Sequence, residues 1–149
     1  MKNNFQTFQK YLQGNPLTIG EEDYLEMIYR LCLDEGHTRV SELANALHVK
    51  PPSASKMIRR LFQKNLIKHR DYGIIELTEE GNILGKQLYE RHKSVEEFLR
   101  LLQVEENLLE ETEKMEHTLS PETIARIKLL VSFFASDGEL LHKLKEWFK

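Results

Sequence analysis

The sequence has very little cysteine and no long apolar run, and both absences limit what the chain can be. Cys32 is the only cysteine among 149 residues, which excludes an internal disulfide and a metal cage built from thiolates. No apolar stretch approaches the roughly 20 residues that a membrane helix needs, and the first residues do not have the pattern of a signal peptide. We therefore expect a cytoplasmic protein with no membrane partner.

The charge of the chain is small in total but unevenly distributed. The formal net charge is −3, which by itself gives no argument for a nucleic-acid partner. Residues 38–70, however, contain eight basic residues and one acid, a local net charge of +7, which leaves −10 for the remainder. Such segregation is typical of a polyanion-binding segment joined to an acidic one.

The first half of the chain has the element order of a winged helix-turn-helix domain. Thr18 and Glu21 match a capping box, in which each side chain satisfies a free N–H group at a helix start, and Gly36 suits the end of that helix. Residues 71–73 suit a hairpin turn, with glycine where a positive φ is needed. The other elements predicted here are a helix at 40–47 capped from Thr38 or Ser41, a second helix at 53–65, and strands at 66–69 and 74–77.

The second half is predicted to be entirely helical. Thr78 caps a long helix at about 79–102, and three further helices follow at about 105–118, 121–135 and 139–148. The fold class is therefore mainly α, with an N-terminal winged helix-turn-helix domain and an all-helical second domain. The predicted divisions are an extension at 1–17, which includes a short amphipathic helix within 1–13, and domains at 18–78 and 79–149.

The second helix of the helix-turn-helix is the element expected in the DNA major groove, whose width fits one α-helix. Its basic and hydroxyl side chains fall on the sides left free by Ala54, Ile58 and Leu61, where they can reach phosphates or base edges. Charge runs usually only solvate a helix face, but eight bases against one acid in a single architectural unit favour DNA. The predicted DNA-binding residues are Arg39, Lys50, Pro51, Ser53, Ser55, Lys56, Arg59, Arg60, Arg70 and Tyr72.

A possible metal site is indicated by acidic and histidine residues at helical spacing. Glu113, Glu116 and His117 lie at positions i, i+3 and i+4, so they share one side of a helix. Each element alone is a weak signal, because acidic pairs usually mark a solvated face and spacing cannot show that helices meet. If the helices that carry Asp23, Glu26, His92, Glu113, Glu116 and His117 converge, they supply four carboxylates and two imidazoles, a donor set that suits Mn²⁺.

Several of these motifs together resemble one known family. Asp23-Tyr24-Leu25-Glu26, the helix-turn-helix at 40–61, the segment 77–81, Arg91-His92 and Glu113-x-x-Glu116-His117 occur in the order found in the diphtheria toxin repressor family. The likeness covers residues 18–135 and is closest to the manganese transport regulator branch of that family.

The resemblance implies a binuclear Mn²⁺ site, with two ions per subunit, whose ligands are Asp23, Glu26, His92, Glu113, Glu116 and His117. Fe²⁺, Zn²⁺ or Cd²⁺ are expected to bind in vitro. The iron-responsive branch has sulfur-containing side chains at the positions of Asp23 and Glu113, whereas carboxylates stand at both here. We also expect this chain to lack the SH3-like domain of the iron regulators.

The resemblance further implies a homodimeric, Mn(II)-dependent repressor of manganese-uptake genes, with operator DNA as its partner, no enzymatic activity and no small-molecule substrate. The dimer interface is expected on the long helix and on apolar positions of the 121–135 helix: Ile124, Ile127, Leu130, Val131 and Phe134.

Three alternatives stay open. The same scaffold could respond to Fe²⁺ or Zn²⁺. A carboxylate-bridged metalloenzyme is disfavoured, because di-iron bundles need a Glu/His element on two helices and it occurs once here. A winged-helix regulator without metal, in which the acidic cluster is only surface, is the third.

Overall fold

The computed structural model describes residues 17–149, so the short helix predicted within 1–13 lies outside the described residues. The chain divides into two compact units, one ending at Tyr89 and one comprising Glu90–Lys149, and the division falls within the longest helix. The three-part division drawn from the sequence stays a prediction.

The first unit opens with α1, Ile19–Glu35, whose two ends follow the predicted capping pattern. The Glu21 N–H donates to Oγ1 of Thr18 over 3.1 Å, and the Thr18 N–H donates to Oε2 of Glu21 over 2.9 Å. The helix ends at Gly36, which has φ 76° and donates its N–H to the carbonyl oxygen of Cys32. Both end predictions for this helix are confirmed.

The helix-turn-helix consists of α2, Val40–Ala46, and α3, Pro51–Gln63. The cap predicted for α2 was wrong, because Arg39 is the residue at the N-cap position. The Thr38 hydroxyl instead donates to Oε2 of Glu42 over 2.8 Å, and the Arg39 N–H reaches the same oxygen over 3.0 Å. Helix α3 begins earlier than predicted, since proline suits a first turn in which N–H groups have no helical partner.

The wing is part of a three-stranded antiparallel sheet in the order β1-β3-β2. Strand β1 is Thr38–Arg39, β2 is Ile67–Arg70 and β3 is Ile74–Leu77. The turn Asp71–Gly73 joins β2 to β3 as predicted. Strand β1 was not predicted, because two residues are too short to show an alternating pattern.

The next helix, α4, spans Glu79–Leu101 and begins directly against the turn that follows α3. The Thr78 hydroxyl donates to the carbonyl oxygen of Asn65 over 2.8 Å and accepts the N–H of Gly81 over 3.0 Å. A Cβ atom on Gly81 would lie 1.8 Å from the carbonyl oxygen of Leu66. The two backbones therefore approach each other more closely than any residue with a side chain permits.

The second unit continues with three shorter helices. These are α5, Leu108–Thr118, α6, Pro121–Ala135, and α7, Gly138–Trp147. Helix α5 begins later than predicted, because Asn107 before it has a left-handed conformation with φ 56°. Within residues 17–149 no helix combines the length and apolar character needed to cross a membrane. The predicted fold class, mainly helical with a winged helix-turn-helix, is confirmed.

Candidate metal centre and nucleic-acid interface

The second unit contains a buried histidine–carboxylate pair. His92 on α4 and Glu116 on α5 are only 6% and 5% exposed, and Nδ1 of His92 lies 3.0 Å from Oε1 of Glu116. The same nitrogen lies 3.6 Å from Oε1 of Glu113. Because an ionised carboxylate can only accept a hydrogen bond, His92 is the donor in its short contact with Glu116.

Helix α5 places three potential ligands on one side, as its spacing predicts. One ligand atom from each of Glu113, Glu116 and His117 lies within 4.8 Å of the others. Nε2 of His117 is 3.6 Å from Oε2 of Glu113 and 3.9 Å from Oε1 of Glu116. Within this unit the structure therefore brings together four of the six residues predicted as ligands.

Two neighbours of this cluster received no role in the sequence analysis. Nη2 of Arg91 lies 3.3 Å from Nδ1 of His117, and Nε of Arg91 lies 3.9 Å from Oε2 of Glu116. Oε2 of Glu96 lies 3.9 Å from Nε2 of His92. The available signal was position: Arg91 precedes His92 directly, and Glu96 follows it by one helical turn.

The donor set of the cluster fits a divalent cation. Two carboxylates and two imidazoles are hard-to-borderline ligands, and a carboxylate as buried as that of Glu116 needs positive charge and hydrogen bonds nearby. The single cysteine, Cys32, belongs to the first unit, where burial and the charges of Glu76 and Glu42 raise the pKa of its thiol to about 11. The cluster is thus chemically suited to the metal that the sequence predicts.

Asp23 and Glu26, the other two predicted ligands, belong to the first unit. They lie three residues apart on α1 and so share one side of that helix. The Glu26 carboxylate pairs with Arg30, whose guanidinium lies over the ring of Tyr89 at 5.6 Å from its centroid. Their participation in one site with the other four residues stays a prediction.

The ten predicted DNA-binding residues are all exposed. Helix α3 buries Ala54, Ile58 and Leu61 on one side, which leaves its serines and basic side chains on the other. At the tip of the wing, Tyr72 is 92% exposed and has φ 63°. The basic segment and the wing tip are therefore available to a long polyanion, and the contacts themselves stay a prediction.

An open concavity of about 240 Å³ lies beside α3, and sequence reasoning missed one of its apolar residues. Phe62 is 55% exposed and lines this concavity together with Ser55 and Arg59 of the same helix and His69 of β2. The signal was present in the spacing, because Ser55, Arg59 and Phe62 recur at four and three residues and share one side of α3.

Comparison with known families agrees with this architecture over most of the chain. The family model described as "Iron dependent repressor, N-terminal DNA binding domain" matches residues 17–75. The model described as "Iron dependent repressor, metal binding and dimerisation domain" matches residues 78–143. The chain belongs to this family of iron-dependent repressors, the diphtheria toxin repressor family. It is a metal-dependent transcriptional repressor that binds DNA through its helix-turn-helix domain, and it is not an enzyme.

The individual relatives confirm the branch that the motifs indicated. The chain is 40% identical over 126 residues to the HTH-type transcriptional regulator MntR of Geobacillus kaustophilus, covering 84% of this chain and 89% of the relative. It is also 40% identical over 125 residues to MntR of Bacillus subtilis, covering 83% and 88%. The solved structure of the manganese regulator SloR is 29% identical with a TM-score of 0.67, covering 78% of this chain and 55% of that chain. The chain spans about half the length of SloR and of several other solved relatives.

Proposed function

We propose that this protein is a Mn(II)-dependent repressor that binds operator DNA as a homodimer in the cytoplasm and controls manganese-uptake genes. The observation that carries the proposal is the sulfur-free cluster of His92, Glu113, Glu116 and His117. The solved relative SloR, which is named as a manganese regulator, supports the choice of metal. In this proposal residues 18–78 bind DNA, and residues 79–149 bind metal and dimerise.

Six residues would hold the metal: Asp23, Glu26, His92, Glu113, Glu116 and His117. Carboxylates can bridge two ions, so Glu26, Glu113 or Glu116 could be shared in a site that holds two Mn²⁺ per subunit. When bound, the ions would supply positive charge that compensates the acidic side chains and joins donors from separate helices.

Helix α1 is the element through which ligation would affect DNA binding. Leu25 and Ile28 of α1 are fully buried in the core of the first unit, the same core that receives Ile58 of α3. An ion bound by Asp23 and Glu26 would hold α1 in one position and would therefore also restrict the movement of α3, the recognition helix. Metal can act only by favouring the DNA-competent arrangement over others, which is a shift in populations.

The second copy would pack on the apolar side of α6. Leu130, one of the five residues predicted for the interface on this helix, is 44% exposed. Phe133 was not in that set, but it lies three residues further on the same side of α6 and is 59% exposed. A dimer would hold two recognition helices at one spacing, which matches half-sites about one helical turn of DNA, or a multiple of it, apart.

Fluorescence-anisotropy titration tests the proposal directly. The labelled probe is a candidate manganese-transporter promoter fragment, titrated with and without Mn²⁺. We expect Mn²⁺ to tighten DNA binding by the unmodified protein at least about 100-fold. Glu116→Ala should lose this response, because the substitution removes a buried metal ligand.

Glu110→Ala is the matched control, since Glu110 lies on the same helix with its side chain 63% exposed. It should respond to Mn²⁺ as the unmodified protein does. Equal DNA binding before and after chelation would refute the metal-dependent mechanism and leave a regulator that needs no ion.

An Fe²⁺- or Zn²⁺-responsive repressor is the second candidate, favoured by the iron-dependent description of the matched family. Glu113→Cys tests it, because a thiolate at this position softens the donor set. If Glu113→Cys has the same preference between Mn²⁺ and Fe²⁺ as the unmodified protein in a metal-competition assay, ligand softness does not determine which metal activates the repressor.

A further inference from the structure

We propose that Arg91 is an internal competitor of the metal for His117 and thereby sets the metal concentration at which the repressor responds. The inference rests on the metal centre proposed above. Nη2 of Arg91 lies 3.3 Å from Nδ1 of His117, and the two side chains are only 16% and 9% exposed. This contact is almost entirely shielded from water.

The first step of the argument concerns the ring proton of His117. A guanidinium group has N–H donors and no acceptor, and it stays charged in proteins. The contact with Arg91 therefore needs the lone pair of Nδ1, which places the proton of a neutral ring on Nε2. A neutral imidazole has one such lone pair, and a metal ion needs the same one.

The second nitrogen of His117 does not remove the conflict. Nε2 lies 3.6 Å from Oε2 of Glu113 and would be the natural ligand atom on that side. If Nε2 gave its lone pair to an ion, the ring proton would move to Nδ1, where it would point at the N–H groups of Arg91. Ligation through Nδ1 would displace the guanidinium directly. In both cases the Arg91–His117 hydrogen bond is lost.

The third step concerns charge. Nε of Arg91 lies 3.9 Å from Oε2 of Glu116, a carboxylate that is 5% exposed. The guanidinium compensates this buried negative charge in the ion-free protein, as a bound cation would in the loaded protein. The two cations also repel each other, and this repulsion is weakly screened in a buried cluster. Arg91 therefore holds the metal ligands together in the ion-free protein and at the same time weakens their affinity for the metal.

Equilibrium Mn²⁺ binding to the full chain without DNA tests the inference. Titration against a fluorescent chelator should show that Arg91→Met binds Mn²⁺ about tenfold more tightly than the unmodified protein, the scale of one charge-assisted hydrogen bond. Lys93→Met is the matched control, because Lys93 is an exposed cation on the same helix. Its Mn²⁺ affinity should stay within about twofold, since water and salt screen an exposed charge.

Equal or weaker Mn²⁺ binding by Arg91→Met, with the control unchanged, would overturn the inference and leave the proposed function intact. Absence of Mn²⁺ binding by the unmodified protein would instead refute the metal centre, and the competitor role with it.

A second measurement needs no substitution at Arg91 and so does not depend on how that variant folds. In metal-free protein with ¹⁵N-labelled histidine, assigned with a His117→Gln variant, NMR should show the His117 proton on Nε2. A proton mainly on Nδ1 would contradict the competitor role, because Nδ1 could not then accept from Arg91.

Discussion

The two units of this protein differ in what they bury. Among the described residues of the first unit, fifteen apolar side chains form one buried cluster. Among residues 90–149, by contrast, helices α6 and α7 bury nothing, and Leu129, Phe133 and Trp147 are exposed. The buried residues in that part of the chain are His92, Ser94, Val95, Leu99, Thr112 and Glu116.

This difference indicates that the first unit completes its own core and that the second does not. Only Val95 and Leu99 among these buried residues are apolar, so the core gives little apolar stabilisation, and exposed apolar patches on a helical unit mark a binding surface. This pattern agrees with the matched family description of a metal-binding and dimerisation domain, in which an ion would bind at the polar centre and a second copy on the apolar side. This difference suits a metal-responsive repressor, because the DNA-binding residues then belong to the unit that has its own apolar core.

The largest effect is expected from Phe133→Asp, which places a charge on the exposed apolar side of helix α6 in the second unit. A carboxylate in an apolar interface loses its hydration without a partner, so dimerisation should weaken by at least about 100-fold. Sedimentation equilibrium measures the dimer fraction, and Lys128→Glu, an exposed charge change on the same helix, should leave it unaltered. A Phe133→Asp protein that remains dimeric would place the interface elsewhere.

Arg59→Ala tests the DNA-binding role of the first unit and should have an intermediate effect. Arg59 is exposed on α3, so its removal should change no core contact, yet DNA binding at saturating Mn²⁺ should weaken about tenfold. The slope of log affinity against log salt should fall by about 0.9 for one lost phosphate contact. Arg100→Ala, an exposed arginine at the end of α4, is the control. Unchanged affinity and slope in Arg59→Ala would show that this side of α3 does not face DNA.

Glu21→Gln should have the smallest effect, a loss of about 1 kcal/mol in the free energy of unfolding. The Glu21 carboxylate is 4% exposed, and it accepts from Thr18 and from Nζ of Lys64 over 2.7 Å. Burial alone raises the pKa of Glu21, but the hydrogen bonds from Lys64 and Thr18 and the charges of Lys64 and Arg60 bring the pKa below its ordinary value of 4.5.

The sign of the pH dependence follows from this lowered pKa. A carboxyl whose pKa is lower in the folded state stabilises the fold above its unfolded pKa, and the contribution is lost as the pH falls through the folded value. Urea unfolding should therefore separate Glu21→Gln from the unmodified protein at neutral pH and much less in acid. Glu80→Gln, an exposed acid in the first turn of α4, should change stability little at either pH. A difference between the two proteins that grows in acid would contradict the assignment.

Much of the fold could be predicted because its signals are local. The reciprocal bonds of Thr18 and Glu21 and the left-handed Gly36 depend only on residues near them in sequence. Strand β1 could not be predicted, because it exists only through long-range pairing of Thr38 with Ile75 and of Arg39 with Ile74. The same pairing explains why the cap predicted from Thr38 was wrong.

The candidate metal site also has one part that the sequence predicts and another part that it does not. Helical spacing predicts that Glu113, Glu116 and His117 share one side of α5, and they do. The contact of His92 with Glu116 joins residues that are 24 positions apart, so no local period could have indicated it. The part played by Arg91 depends on one hydrogen bond to a particular ring nitrogen, which only coordinates can reveal.

Gly81 has a mechanical consequence for the recognition helix. Since the start of α4 lies directly on the carbonyl of Leu66, there is no soft layer of side chains between the long helix and the turn that ends α3. A 23-residue helix is about 35 Å long, so a tilt of about 5° at its base displaces its far end by about 3 Å. A tilt at the base of α4 would therefore act directly on the turn that ends α3, because no flexible side chain separates the two backbones. An alanine at position 81 would push these backbones apart while leaving every proposed metal and DNA contact residue in place.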